Sequence, residues 1–422
     1  MQNPEKSKHL ETATMQVGSF WIDFVNLRAE EYTSNSRIPD LMRIGSPQED
    51  AFRRDLTINA LFYNICTGQV EDWTGRGLED LKRGVISTPL PPLTTLLDDP
   101  LRVLRSIRFA ARLRFSMDEG LKEAALNENV RTALERKVSR ERIGSEVDLM
   151  LRSQDPVGAM RLMINLKFMG IVFPIQHFHG KSEIELHNNR NFPQRLFDSG
   201  LYLLTTTHDH LCSCKVNTPM WCEKKRALAA ATHGVIETPL IDDEESRRKL
   251  WYAAFLKPIM DHAKLIEKDV EITLHRRQGK KANRSPIMML MTDELKRPVR
   301  DGEAVESIMK AADEFTELIR GESALSATAV ILGKIHVTYT ESGNGLESKV
   351  SCSMGNKLVN AETEKDPVWL HAMGFRLAAS RIIIKVGPLW RAALILSLCE
   401  QLADSDRNRY SYTIEGDVVR FA

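Results

Sequence analysis

The apolar positions of this 422-residue chain become helical in period for most of the sequence beyond residue 99, and the change divides the chain. Before it, Phe20–Leu27 alternates aromatic and β-branched residues with polar ones and reads as a strand, with Asp23 set between apolar neighbours. Residues 29–50 are rich in Glu, Ser, Asn, Arg and Pro and read as a loop. A helix is expected over 51–65, then Gly-rich punctuation across 70–86 with a short strand at Val85–Ser87. Pro-Leu-Pro-Pro at 89–92 marks a boundary. From Asp99 onward, apolar residues recur at three- and four-residue intervals and predict helices over 99–115, 118–135, 139–152 and 155–170. Further helices are expected at 244–265, 303–320, 368–385 and 388–403. Val330–Tyr339 has a strand pattern that a buried helix would also satisfy. Residues 176–240 carry no assignable period, and no internal repeat is found.

Composition adds limits rather than a function. The length suits two or three domains, and 42% hydrophobic with 27% charged residues is ordinary for a globular protein. No apolar run is expected to reach membrane-spanning length, and the first residues are polar and mixed in sign, unlike a leader peptide. A formal net charge of +1 leaves any nucleic-acid contact to local basic clusters. Six cysteines spread from Cys66 to Cys399 suit free thiols in a reducing compartment. His208, His210, Cys212, Cys214 and Cys222 form a candidate zinc cluster, against which Cys-x-Cys is an awkward spacing.

Chemistry concentrates in three segments. Arg53-Arg54-Asp55-Leu-Thr-Ile-Asn59 sets charges beside a core run, where they need partners. Arg54 is a candidate for a triphosphate. Asp55 and Asn59 suit ribose hydroxyls or the bracing of an arginine, the plain alternative being a helix-capping pair. Asp72-Trp-Thr-Gly75-Arg-Gly77-Leu-Glu-Asp80-Leu has glycines for a tight turn and carboxylates suited to a hinge. In Asp98-Asp99-Pro-Leu-Arg102, continued by Arg105, Arg108 and Arg112, the arginines fall on one broad helical face, a stripe suited to a polyanion or to solvent.

Asp99 and Arg102 stand three apart, and Asp accepts while Arg donates. Together they complement a base edge with an acceptor beside an exocyclic amino group. Cytosine and adenine offer that edge; uracil and guanine place a carbonyl oxygen where the carboxylate would repel it.

In this order the segments resemble the motif set of class II tRNA nucleotidyltransferases, the CCA-adding enzymes of the DNA polymerase β superfamily. Arg53–Ala60 resembles the ribose and triphosphate motif, Asp72–Leu81 the head–neck hinge, and Asp98–Arg102 the Glu-Asp-x-x-Arg motif that reads CTP and ATP. Arg105 and Arg108 match further nucleotide-contacting arginines, and Ser139–Glu146 a helix that braces the neck. The likeness covers roughly 15–170 and is closer to eukaryotic members, from Ile22–Arg28 and the Tyr32–Pro39 loop.

The resemblance implies an α+β fold: an incomplete nucleotidyltransferase head (short β-sheet plus helices) over 1–90, a helical neck over 91–172, and a helical, tRNA-binding body and tail over 173–422. It implies CMP and AMP transfer from CTP and ATP to the 3′ end of tRNA, with Mg2+ as cofactor. Lys280, Lys281 and Arg284 are candidate RNA contacts in a segment that equally suits a solvated loop. The family's Gly-Gly-x-x-Arg-Asp turn and metal-binding Asp-x-Asp pair do not stand ahead of the Arg53 run. Only Asp23 remains there as a candidate metal carboxylate, so an N-terminally truncated chain of impaired activity is expected. A non-catalytic tRNA- or nucleotide-binding protein and a bacterial-type poly(A) polymerase are the alternatives. Cytoplasm, nucleus and mitochondrion all host such enzymes.

Overall fold

Strand β1 (Thr12–Val17) turns at Gly18 and pairs antiparallel with β2 (Phe20–Val25), placing Thr14 opposite Asp23. The computed structural model describes residues 12–31, 41–175, 192–212, 241, 243–269, 285–319, 336–342, 345–351 and 378–409. It divides into two units, one of Met1–His177 with Thr292–Arg297, the other of Phe178–Met291 with Pro298–Ala422. The fold is α+β and mostly helical, with short strands toward the N-terminus.

The alternation at Phe20 does make a strand, but not a buried one. Phe20 and Trp21 are 73% and 70% exposed, and Ile22, Phe24 and Val25 are exposed as well. In place of one sheet, the first unit has separate two-stranded pairs. The expected loop at 29–50 contains β3 (Arg28–Glu31) and β4 (Leu41–Ile44), which pair antiparallel.

The expected helix at 51–65 is three elements. Helix α1 (Pro47–Phe52) starts at a capping box in which Ser46 and Glu49 exchange bonds, with Pro47 in the first turn. A single 3-10 turn follows at Thr57–Asn59, and β5 (Leu61–Asn64) then pairs antiparallel with β6 (Gln69–Asp72). Helix α2 (Gly77–Arg83) ends on Gly84 in the left-handed region, and β7 (Val85–Ile86) pairs parallel with β8 (Ser116–Met117).

Prolines 91 and 92 open a helix rather than only marking a boundary: α3 runs Pro92–Asp98. Asp99 is extended, so the expected helix at 99 begins at Arg102 as α4 (Arg102–Leu113). The stretch 118–135 divides into α5 (Glu119–Ala125) and α6 (Glu128–Lys137) because Asn127 caps a new start. Helix α7 (Arg140–Leu151) matches its expected span, and α8 (Pro156–Asn165) begins at an Asp155 cap and is followed by the single turn α9 (Met169–Val172). Helix α4 packs on α7 and α8, with Leu104, Ile107, Ile143, Val147 and Met160 fully buried.

In the second unit, α10 (Phe192–Cys212) lies in the stretch that carried no assignable period. It packs with α11 (Glu244–Asp269) and α13 (Trp390–Arg409), and α12 (Val299–Ile319) packs on both of those. The strand expected at 330–339 appears as His336–Ser342, paired with Gly345–Ser351; residues 330–335 lie outside the described residues. Contrary to the sequence expectation, the helix Ala378–Ala403 is long and apolar enough to cross a membrane, an 18-residue stretch of it having mean hydropathy 1.7. In this fold 61% of that apolar stretch is buried in the protein, as befits the core helix of a bundle.

The bundle also buries Lys257 among carboxylates. Lys257 donates to Asp261 at 2.6 Å and lies 2.7 Å from Asp313 and 3.1 Å from Glu400, tying α11 to α12 and α13. Burial, with help from Asp261 and Asp313, raises the Glu400 carboxyl to about 7 against the pull of Lys257. A carboxyl raised above its unfolded value of 4.5 leaves the folded state holding more protons between the two values. Stability should therefore fall as pH rises from about 4.5 to about 7, by up to about 3 kcal/mol. Urea midpoints at pH 5 and pH 7 should differ less in Glu400→Gln than in the wild type, and an unchanged difference would exclude this carboxyl as the cause.

Candidate functional site

Helix α1 places Asp50 one turn before Arg53 and Arg54, and this fixes the first part of the site. Asp50 is 1% exposed. Its Oδ1 accepts from Arg53 Nε and Nη2 at 2.9 and 2.6 Å and from the Arg28 backbone N–H at 3.1 Å. Its Oδ2 accepts from Arg54 Nε and Nη2 at 3.0 and 2.8 Å. Burial alone would raise the Asp50 carboxyl; the Arg53, Arg54 and Arg28 donors outweigh it and hold it low. Sequence reasoning missed this residue, although an acid four positions before an arginine was the available signal. Arg54 also donates to the Asn59 carbonyl at 3.1 Å and lies over the Phe62 ring.

Asp55 is the second anchor. Its Oδ2 accepts from Arg105 Nε at 2.6 Å, and its Oδ1 from Asn59 Nδ2 at 3.2 Å and the Leu56 N–H at 2.9 Å. Asp55 does brace an arginine, but it is Arg105 and not the adjacent Arg54, which Asp50 holds, and the Asn59 side chain donates to Asp55. Burial works against the charge of Arg105, and the carboxylates of Asp55, Glu146 and Asp99 outweigh it and raise its pKa. The Arg105 side chain is 36% exposed and makes its one hydrogen bond, among the described residues, through Nε. Both of its Nη groups are thus left to donate.

The remaining α4 arginines do not form the common solvent-facing stripe that their spacing suggests. Arg102 is buried, with Nη2 donating to the Arg53 carbonyl at 2.7 Å and Nη1 to the Thr95 carbonyl at 3.4 Å. Arg108 is buried against Glu146 of α7 at 2.6 Å and lies over the Phe109 ring. Arg112 is exposed. Arg102, Arg105 and Arg108 have each met a different neighbour, and Arg112 has met solvent.

Asp99 and Arg102 are joined through the backbone, Arg102 N–H to the Asp99 carbonyl at 2.9 Å, and not as a side-chain pair. The side-chain partner of Asp99 is Arg142 of α7. Nη2 reaches Oδ2 at 2.8 Å and Nη1 reaches Oδ1 at 3.4 Å, while the Leu101 N–H adds a bond to Oδ1 at 3.3 Å. Burial raises the neighbouring Asp98 carboxyl, and Arg102 only partly offsets this.

Helix α7 is itself fixed. Arg140 donates to the carbonyls of Ile171, Val172 and Glu294 and pairs with the Glu294 carboxylate. Arg297 pairs with Asp148 at 3.1 Å. A Cβ on Gly144 would lie 1.7 Å from the Leu295 carbonyl oxygen.

The Asp72 segment is a firmly bonded turn. The Asp72 carboxylate accepts from Thr74, Gly75 and the Leu78 N–H, and these donors outweigh burial and lower its pKa. Gly75 is left-handed, and a Cβ on Gly77 would sit 2.7 Å from the Thr57 carbonyl. Asp80 accepts from the Thr57 hydroxyl at 2.7 Å, joining the turn to the Arg53 segment.

Asp23 accepts from the Thr14 hydroxyl at 2.7 Å on the exposed hairpin. Lys280, Lys281 and Arg284 lie outside the described residues, as do Cys214 and Cys222. His208 packs against the Trp251 ring. No group of three His, Cys, Asp or Glu able to hold a metal ion occurs among the described residues.

Residues 1–87 match the family model described as poly A polymerase head domain. A mitochondrial CCA tRNA nucleotidyltransferase of Candida glabrata is 45% identical over 210 residues, 50% of this chain and 39% of that protein. The mitochondrial CCA tRNA nucleotidyltransferase of Saccharomyces cerevisiae is 45% identical over 223 residues, 53% of this chain and 40% of its own length. The aligned part thus spans about two fifths of these relatives. A solved structure titled tRNA-processing enzyme (apo form 2) aligns over 76% of this chain and 73% of its own, at 18% identity and a TM-score of 0.43.

Proposed function

We propose that this chain, a relative of the eukaryotic CCA tRNA nucleotidyltransferases over about half its length, binds CTP and ATP and adds C, C and A to the 3′ end of tRNA. In that reaction the terminal hydroxyl of the tRNA attacks the α-phosphorus. The bond to pyrophosphate breaks, and the hydroxyl proton is lost.

The observation that carries the reading is the Asp55–Arg105 pair. It holds a guanidinium by one nitrogen and leaves the fork ready for phosphate oxygens. Arg54, similarly exposed and pinned by Asp50, supplies a second positive group from the same segment. Asp99, partly exposed at the joint between α3 and α4, supplies the acceptor for an exocyclic amino group. The turn held by Asp72, Gly75, Gly77 and Asp80 is proposed as the hinge of the head. Arg102 and Arg108, both buried, support this arrangement from within.

The relatives imply Mg2+ as cofactor. Asp23 is committed to Thr14 on an exposed hairpin, and the described residues assemble no metal-binding cluster, so they do not fit the ion. The part of these residues is to bind and orient the nucleotide. The same observation gives weight to a second reading, a tRNA- and nucleotide-binding protein that does not turn over.

The test supplies the chain with tRNA lacking its terminal CCA, labelled CTP or ATP, and magnesium. Ordered incorporation of C, C and A supports the first reading. Binding of tRNA and CTP without incorporation supports the second, and a long adenosine run indicates a poly(A) polymerase. In either of the first two cases Arg105→Ala should weaken nucleotide binding about tenfold or more, the cost of a lost charge-assisted hydrogen bond. Unchanged affinity in Arg105→Ala would remove that arginine from the nucleotide site.

A further inference from the structure

We propose that Arg142 is a positioning residue for Asp99, and that the preference for bases with an exocyclic amino group depends on it. The assignment rests on the nucleotide reading given above. Asp99 lies in extended backbone between α3 and α4, where neither helix fixes its side chain. One backbone N–H, that of Leu101, reaches it at 3.3 Å. The remaining orientation comes from the Arg142 fork, at 2.8 Å to Oδ2 and 3.4 Å to Oδ1. A planar guanidinium set against both oxygens fixes the plane of the carboxylate, which an ammonium on a flexible stem does not.

The fork itself comes from a helix fixed on several sides. Two residues before Arg142, Arg140 holds the Ile171, Val172 and Glu294 carbonyls. Two residues after it, Gly144 lies directly beneath the Leu295 carbonyl. One turn on, Glu146 binds the buried Arg108 of α4. Arg142 is therefore referenced to the same helix that begins just after Asp99.

The geometry leaves the carboxylate usable. A carboxylate offers about four lone-pair directions. Arg142 and Leu101 occupy three of them, and the Asp99 side chain keeps 20% of its surface open. An acceptor held in one plane discriminates an amino group from a carbonyl oxygen, whereas one free to rotate can turn away from the oxygen and tolerate it. Arg142 should thus act on the choice between cytosine and uracil, through Asp99, without touching the base.

The experiment measures CTP and UTP binding to the full chain by calorimetry. The wild type is expected to prefer CTP. Arg142→Gln should reduce that preference about tenfold, the order of discrimination of one well-held bidentate contact. It should cause no further loss in an Asp99→Ala background. Arg142→Lys, which keeps the charge and loses the fork, should fall between, and it serves where Arg142→Gln does not fold.

A full CTP preference retained in Arg142→Gln or Arg142→Lys would overturn the assignment, as would losses that add in the double variant. A wild-type chain that binds CTP and UTP equally would overturn the base reading and this assignment together. The first results leave the base reading of Asp99 standing and the last does not, so the two failures are distinct.

Discussion

Gly144→Ala should both destabilise the first unit and weaken CTP binding, although alanine is the better helix former. A Cβ at this position meets the Leu295 carbonyl oxygen at 1.7 Å, its carbon at 2.5 Å and the Leu295 Cα at 2.9 Å. These are backbone atoms, so no side-chain rotation relieves the clash; α7 or the 292–297 segment must move. Overpacking of this kind costs about 1–3 kcal/mol, and contact with backbone places it at the upper end. The helical gain of Ala over Gly returns only about 1 kcal/mol. Because Arg142 and Glu146 flank the glycine on α7, displacement also disturbs the pairs with Asp99 and Arg108. Thermal unfolding and CTP titration of the variant check both effects. Wild-type stability in Gly144→Ala would show that the segment yields without cost.

The second large effect is expected at Asp50. Asp50→Ala removes the acceptor for two guanidinium groups and the Arg28 N–H at once. It leaves Arg53 and Arg54 adjacent and like-charged on a short helix end. Breaking such a pair costs about 3–5 kcal/mol, nearer the lower figure because both arginines retain some water.

The pH dependence has a fixed sign. The Asp50 carboxyl is held below its ordinary value of 3.8. Its contribution is therefore complete above about pH 4 and is lost as pH falls through the lowered value. Asp50→Ala should be less stable at pH 7, and the difference should narrow toward acid. A constant gap between the two urea midpoints from pH 7 to pH 2.5 would contradict this account.

The chemistry of the site was legible before the structure, but its wiring was not. Arg54, Asp55, Asn59, Asp99 and Arg105 do gather around one joint, since local spacing announces charged residues that need partners. Their partners come from elsewhere: Asp55 meets Arg105 fifty residues on, and Asp99 meets Arg142 forty-three residues on. No periodicity encodes such pairings. Arg102 shows the cost of reading spacing alone, because its guanidinium turns inward to the Arg53 carbonyl instead of standing beside Asp99.

Secondary structure failed where short elements follow closely. The apolar run after Arg54 fits a helix as well as it fits the 3-10 turn and strand that form. Local preference for a short apolar run is weak, and the pairing with Gln69–Asp72 decides it. The helices expected at 139–152, 244–265 and 303–320 were placed well because several turns of one period outweigh a single misfit. The hairpin at Phe20 was legible as a strand, and its exposure was not, since alternation reports geometry and says nothing of what covers the face.

The segment Thr292–Arg297 gives the first unit a timetable. Arg140 waits for the Glu294 carbonyl, 154 residues further along the chain. At ribosomal rates that interval is on the order of ten seconds. During it, α7 has emerged while the backbone that overlies Gly144 has not yet been made. The joint that holds Asp99 is therefore completed late in synthesis, after most of its own unit is available to fold. A chain interrupted between residues 177 and 292 would carry every arginine of the site and still lack the backbone that packs on Gly144.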